Sequence, residues 1–203
     1  MIAHLRPAIV MLAFFTLLTG LAYPLAMTGL AQVLIPAAAN GSLITRGTTV
    51  VGSALIGQSF TSDRYFQGRP SATSAPDPND DAKTIDAPYN AANSSGSNLG
   101  PLSKKLIDRI EHDIAVLRKG GATSIPADAV TASASGLDPH ISPAYAALQI
   151  TRIAAARRVT EAQVRTLVEE SKEWPLLGLF GEPRINVLRL NLALDANLPG
   201  SAG

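Results

Sequence analysis

The stretch Pro7–Ile35, PAIVMLAFFTLLTGLAYPLAMTGLAQVLI, decides how the rest of the chain is read, because it has no charged residue and only Gln32 is strongly polar. About 20 apolar residues let a helix cross about 30 Å of hydrocarbon, so the run predicts a membrane-spanning helix. Ala37–Ala39 imitates a signal cleavage site, but the apolar core of a cleavable signal is only about 7 to 15 residues long. Pro24 lacks a backbone donor and predicts a kink, and Pro36 predicts the end of the span. Gly20, Ala22, Ala26 and Gly29 would let a neighbouring helix approach closely, which makes Gly20 and Gly29 candidate partner contacts. Arg6 lies on one side of the run and no charge follows it until Arg46. The positive-inside bias therefore predicts residues 1–6 in the cytoplasm, 7–35 in the membrane and 36–203 outside the cytoplasm.

The exported part is long enough for one domain with its own core. Once Arg6 is set aside, its basic residues balance the 16 acidic ones. A neutral domain without a basic block offers no electrostatic case for nucleic acid or for tight binding to anionic lipid. The chain has no cysteine, which excludes disulfides and thiolate metal sites.

Gly41–Phe60 reads as short β-branched strands broken by Gly41, Gly47, Gly52 and Gly57. Residues 68–100 turn to Pro, Ser, Asn, Asp and Ala and predict an irregular loop region, either flexible or ordered as a surface for a partner. From Pro101, Leu102, Leu106, Ile110, Ile114 and Leu117 give one helical stripe, stopped by Gly120 and Gly121. Ser142 and Pro143 open a second helix running to Arg158. Thr160 and Gln163 form a capping box for a third, with Val164, Leu167 and Val168 on its buried face. In Arg184–Asp195, Leu188, Leu190, Leu192 and Leu194 alternate with Arg189, Asn191 and Ala193, the period of a half-buried strand. The fold class expected is α+β: a single N-terminal transmembrane helix followed by one small mixed α/β extracytoplasmic domain, with helices packed on one small sheet.

Few residues suggest chemistry. Ser135, Asp138 and His140 in SGLDPH supply the residue types of a hydrolase triad, but lie too close on one loop to converge, and no GxSxG supports them. Asp138 and Ser142 are better explained as shaping the turn and capping the helix. Asp77, Asn79 and Asp81 open like an EF-hand loop, yet Ala82 and Pro88 occupy its Gly and Glu positions. Without GxxxxGK[ST] there is no phosphate cradle. The arginines, among them Arg64, Arg69, Arg152, Arg157, Arg158 and Arg184, are read as solvated, with some pairing with carboxylates of a partner. Arg64, Arg69, Ser135, Gly136, Asp138 and His140 join Gly20 and Gly29 as candidate partner contacts.

GSLITRGTTVVGSALIGQSF, YFQGRPSAT, PYNAANSSGSNLGP, VTASASGLDPHISPAYAALQ and RINVLRLNLALD, in that order, resemble the C subunit of the bacterial Kdp potassium-transporting ATPase. The resemblance implies a non-catalytic accessory subunit of an inner-membrane potassium uptake pump. Its partners would be a channel-like potassium-binding subunit, a P-type ATPase subunit and a small single-helix subunit, besides membrane lipid. It also implies a role in assembly and as a catalytic chaperone that raises the ATP affinity of the ATPase subunit. The chain itself would bind no cofactor directly, with ATP reached through the complex and potassium as the transported ion. An exported domain does not meet cytosolic nucleotide, so such an effect must travel as a coupling free energy. Against this stands a free-standing membrane-anchored hydrolase using the SGLDPH loop.

Overall fold

The computed structural model describes residues 2–175, 178 and 181–199. They fall into two compact units, residues 1–53 and 54–203.

The first unit begins with the apolar run. It is helical throughout: α1 (Ile2–Leu17), a π-helical turn (Leu18–Ala22) and α2 (Tyr23–Leu34). Within it His4–Leu34 is long and apolar enough to cross a membrane. The irregularity expected at Pro24 lies in the turn before it. Tyr23 N–H donates to Leu18 O, the wider reach of a π turn, and this eases the clash a proline ring makes with the carbonyl four residues back. Thr19 Oγ1 donates to Phe15 O (2.6 Å) on the same stretch. Helix α2 stops at Ile35 (φ −139°), before Pro36, as the sequence predicts. One turn, α3 (Pro36–Ala39), then sets Asn40 against the polar residue of the run: Asn40 Nδ2 donates to Gln32 Oε1 (3.0 Å). The antiparallel hairpin β1 (Leu43–Arg46) and β2 (Thr49–Ser53) completes the unit; it matches the first part of the predicted strands, whereas residues 55–60 form no strand.

Among the described residues the second unit holds four α-helices and a small antiparallel sheet. Three of the helices, α4 (Lys104–Lys119), α5 (Pro143–Arg157) and α6 (Glu161–Glu170), precede the sheet's central strand and the fourth follows it. The sheet has β7 (Arg184–Asn186) between β5 (His140–Ile141) and β6 (Lys172–Glu173). Ser142 caps α5 by accepting from Tyr145 N–H (3.0 Å), and the Thr160/Gln163 box closes α6. Helix α4 starts at Lys104, leaving Leu102 off the stripe and 93% exposed. Its end is as read: Gly121 takes φ +94°, which costs glycine least. Ile141, Tyr145, Ile150, Ile153, Val164, Val168, Ile185 and Leu190 are buried together with Phe66.

Two expectations are overturned. Arg184–Asp195 is not one strand: after the three residues of β7 it becomes α7 (Val187–Asn197). Asn186 caps it by accepting from Arg189 N–H (3.1 Å). Val187, Leu190, Asn191 and Leu194 are buried at i, i+3, i+4, i+7, with Leu188 buried beside them, so a buried asparagine concealed the helical period behind the alternating leucines. Residues 68–100 are not all loop either, since they contain the hairpin β3 (Ser74–Asp77) and β4 (Asp80–Asp86). Its turn is closed by Asn79 N–H donating to Asp77 Oδ1 (2.8 Å). Apart from Asp81, whose side chain is not described, no residue of β4 beyond Asp80 is even half-buried, so the alternation that announces a strand was absent.

Candidate functional site

The site is built on the segment Asp63–Pro70, which leaves a turn at Asp63–Arg64 and pairs with no strand. Its main chain is instead met by side chains from α5 and α7. Asn191 accepts from Phe66 N–H (2.8 Å) and donates to Phe66 O (2.9 Å). Gln149 does the same for Gln67, at 2.8 and 3.1 Å. Arg152 donates to Asp63 O (2.7 Å) and Tyr65 O (3.0 Å); burial lowers its pKa, while Asp63 and Tyr145 oppose the shift. Arg157, expected at the surface, is 2% exposed. Its guanidinium donates to Arg64 O (2.7 Å), Leu198 O (3.0 Å) and Asp195 Oδ1 (2.9 Å) and stacks on Tyr65, 4.9 Å from the ring centre. Buried polar groups are thus satisfied as a set.

Beyond this clamp the chain delivers Arg69. Its Nη1 donates to Asp138 Oδ2 (3.1 Å) and its Nη2 to Thr131 O (3.3 Å). Asp138 Oδ1 accepts from His140 N–H (3.0 Å) and lies 3.3 Å from His140 Nδ1. His140 Nε2 is 3.6 Å from Glu173 Oε2. Glu173 is in turn held by Arg184 (3.2 Å) and Arg189 (3.4 Å). The result is a chain of polar contacts that ties residue 69 to β5, β6, β7 and α7. Burial works to raise the pKa of Asp138, but the hydrogen bonds from His140 and the charge of Arg69 outweigh it and hold the carboxyl below its ordinary 3.8. Arg69 borders three surface clefts of about 740, 580 and 410 Å³.

The neighbouring loops lock together through small residues. The Tyr89 ring fills the space beside Gly57 and Gly68, where a Cβ would collide with it, and its hydroxyl donates to Arg69 O (2.6 Å). Burial pushes that phenol well above its usual range, with Tyr145 and Asp138 adding and Arg69 opposing. Gly136 has φ +68°, and a Cβ there would strike Thr73 and Ser95.

Of the residues singled out from sequence, Arg69, Asp138 and His140 come together, with Gly136 packed behind them. Ser135 does not join them. It is exposed; its hydroxyl accepts from Leu137 N–H (3.1 Å) and its carbonyl from Ser95 N–H (3.0 Å), while the ring of His140 is engaged by Asp138 and Glu173. Gly136 N–H donates to Ser133 O (3.3 Å), so that amide is engaged within the loop. Arg64 meets Arg157 through its carbonyl. Gly20 and Gly29 lie in the first unit with nothing within 4 Å of a Cβ built on either. Glu173 was missed. Its signal was weak: one acidic residue in a two-residue strand, with arginines at 184 and 189.

Residues 5–196 match the model of the family described as KdpC: K+-transporting ATPase, c chain. The chain belongs to this family. It is 62% identical over 200 residues to the potassium-transporting ATPase KdpC subunit of Rhodopseudomonas palustris (strain TIE-1), covering 98% of this chain and all of that one. The KdpC subunits of Methylobacterium nodulans (60%) and Bradyrhizobium diazoefficiens (59%) each match over 96% of this chain and 98% of their own. The segments YFQGRPSAT and SGLDPH, which form the site, lie inside the matched span.

Proposed function

We propose that this chain is a non-catalytic accessory subunit of an ATP-driven potassium uptake pump, anchored in the bacterial inner membrane by its first helix with the second unit in the periplasm. The observation that carries the reading is the family match across residues 5–196, together with one helix long enough to span. The chain would assemble with the potassium-binding and ATPase subunits. Its contacts would include the Arg69–Asp138–His140 surface and the face of the anchor that carries Gly20 and Gly29.

Any rise in the pump's ATP affinity then works at a distance, because a periplasmic domain can bias the ATPase subunit only by binding its conformations unequally. Two measurements test this. The chain has no cysteine, so L102C places a single thiol at a fully exposed position. A membrane-impermeant thiol reagent should label it in intact cells; protection until lysis would overturn the topology. The pump purified without this subunit should need more ATP for half-maximal hydrolysis, and an unchanged ATP titration would remove the chaperone role.

A further inference from the structure

The two outer edges of the β3–β4 hairpin have opposite fates. Ala87 N–H donates to Thr73 O (3.1 Å), which makes Thr73 and Ala87 a hydrogen-bonded pair. Antiparallel ladders alternate, so Ala75 and Ile85 form the next such pair. The main-chain groups of Ser74 and Pro76 on β3, and of Thr84 and Asp86 on β4, therefore point outward. The β3 side is closed: Ser74 O accepts from the side-chain amides of Asn90 (2.8 Å) and Asn93 (3.0 Å), and Pro76 has no N–H to offer. The ladder is irregular between Pro76 and Asp77, where Asp81, Ala82 and Lys83 of β4 stand opposite no residue of β3.

From Thr84 to Asp86 the β4 side has, among the described residues, no proline, bulge or covering side chain. Ala82–Asp86 are all exposed, Ile85 by 44%. The sheet has only these two strands, and among the described residues no bond from elsewhere reaches the main chain of Thr84 or Asp86. Folded proteins normally blunt an edge with a proline, a bulge or a covering group. Here the proline and the covering amides stand on the β3 side and the bulge of β4 ends before Thr84, and an isolated two-stranded hairpin is only marginally stable in water.

We infer that the outer edge of β4 at Thr84–Asp86 accepts an added strand from another protein chain, and that the incoming segment is basic. Main-chain pairing would supply the affinity, and charge selects the occupant. Between Ser74 and Asp86 stand Asp77, Asp80, Asp81 and Asp86 against Lys83, which is already paired with Asp80 (2.8 Å). A second copy of this chain would set two acidic strands side by side, where like charges repel. The inference rests on the chain working within an assembly.

A photoreactive benzoylphenylalanine in place of Ile85, in the full chain in its own membrane, should crosslink to a Lys- or Arg-bearing extended segment of another chain. T84P removes one outward N–H at a position where an edge strand tolerates proline; D86K keeps every donor and reverses one charge. Each should cut the adduct about fivefold or more. An adduct to a second copy, no adduct, or an adduct undiminished by either variant would overturn the inference. A crosslink to a chain outside the pump would instead refute the accessory-subunit reading and keep the edge.

Discussion

Asp63–Gln67 and the β3–β4 hairpin lie a few residues apart in sequence, and they satisfy their main chains in opposite ways. The first has no strand beside it, and its carbonyls and amides end on Arg152, Arg157, Gln149 and Asn191. The second makes its own ladder, and Ala82–Asp86 of its longer strand stay in solvent. Side chains that replace a strand must come from helices already docked in the core, so the clamped segment is welded to α5 and α7. A self-sufficient hairpin is attached only at its ends. Stability should concentrate in the clamp, and freedom to meet a partner in the hairpin.

The contrast is broken most severely at Arg157. R157A removes the donor that meets the carbonyls of Arg64 and Leu198 and takes the guanidinium away from Asp195, which keeps the Tyr65 hydroxyl, so the detergent-solubilised chain should lose about 3–5 kcal/mol against denaturant. N191A leaves Phe66 N–H and C=O unpaired in the core, and a smaller loss of about 2–3 kcal/mol is expected. A loss below 1 kcal/mol at either position would mean that the clamp is not what holds the segment.

Asp138 sharpens the comparison through pH. Its folded pKa lies below the ordinary value, so the ionised form stabilises the fold above the unfolded pKa, and this contribution fades as pH falls through the folded pKa. The wild type should therefore outlast D138N in thermal unfolding near neutrality and lose that lead in acid below about pH 4. A lead unchanged with pH would detach Asp138 from the chain of polar contacts. Least of all should follow from I85S in the hairpin, within about 0.5 kcal/mol of wild type. A loss above 1 kcal/mol there would erase the distinction between the two regions.

Where a signal was local, the sequence could be read. Ser142, the Thr160/Gln163 box, Gly121 and the charge-free run each act through their own neighbours, and each set a boundary that the structure keeps. What escaped depended on distant residues. Asn191 is polar by type, and only its pairing with Phe66, far away in sequence, makes it a core residue and reveals α7 as a helix. Arg157 was read as solvated for the same reason, because its acceptors lie near residues 64 and 195. The hairpin was missed because the residues of its longer strand meet water on both faces. At the site, Arg69, Asp138 and His140 were marked separately, but Glu173, which joins them to the sheet, is one carboxylate among 16 acidic residues.

The π turn at Leu18–Ala22 changes the angular phase of the apolar helix. It takes up one residue beyond a regular turn, so every side chain of α2 is rotated by about 100° from where an unbroken helix would carry it. Phe14 and Phe15 on one side of the turn, and Met27 and Leu30 on the other, no longer follow one continuous ridge. A straight neighbouring helix can track the ridge of α1 or that of α2, but changes sides if it follows both. The anchor offers two short surfaces in succession, and a single residue deleted between 18 and 22 would fuse them into one.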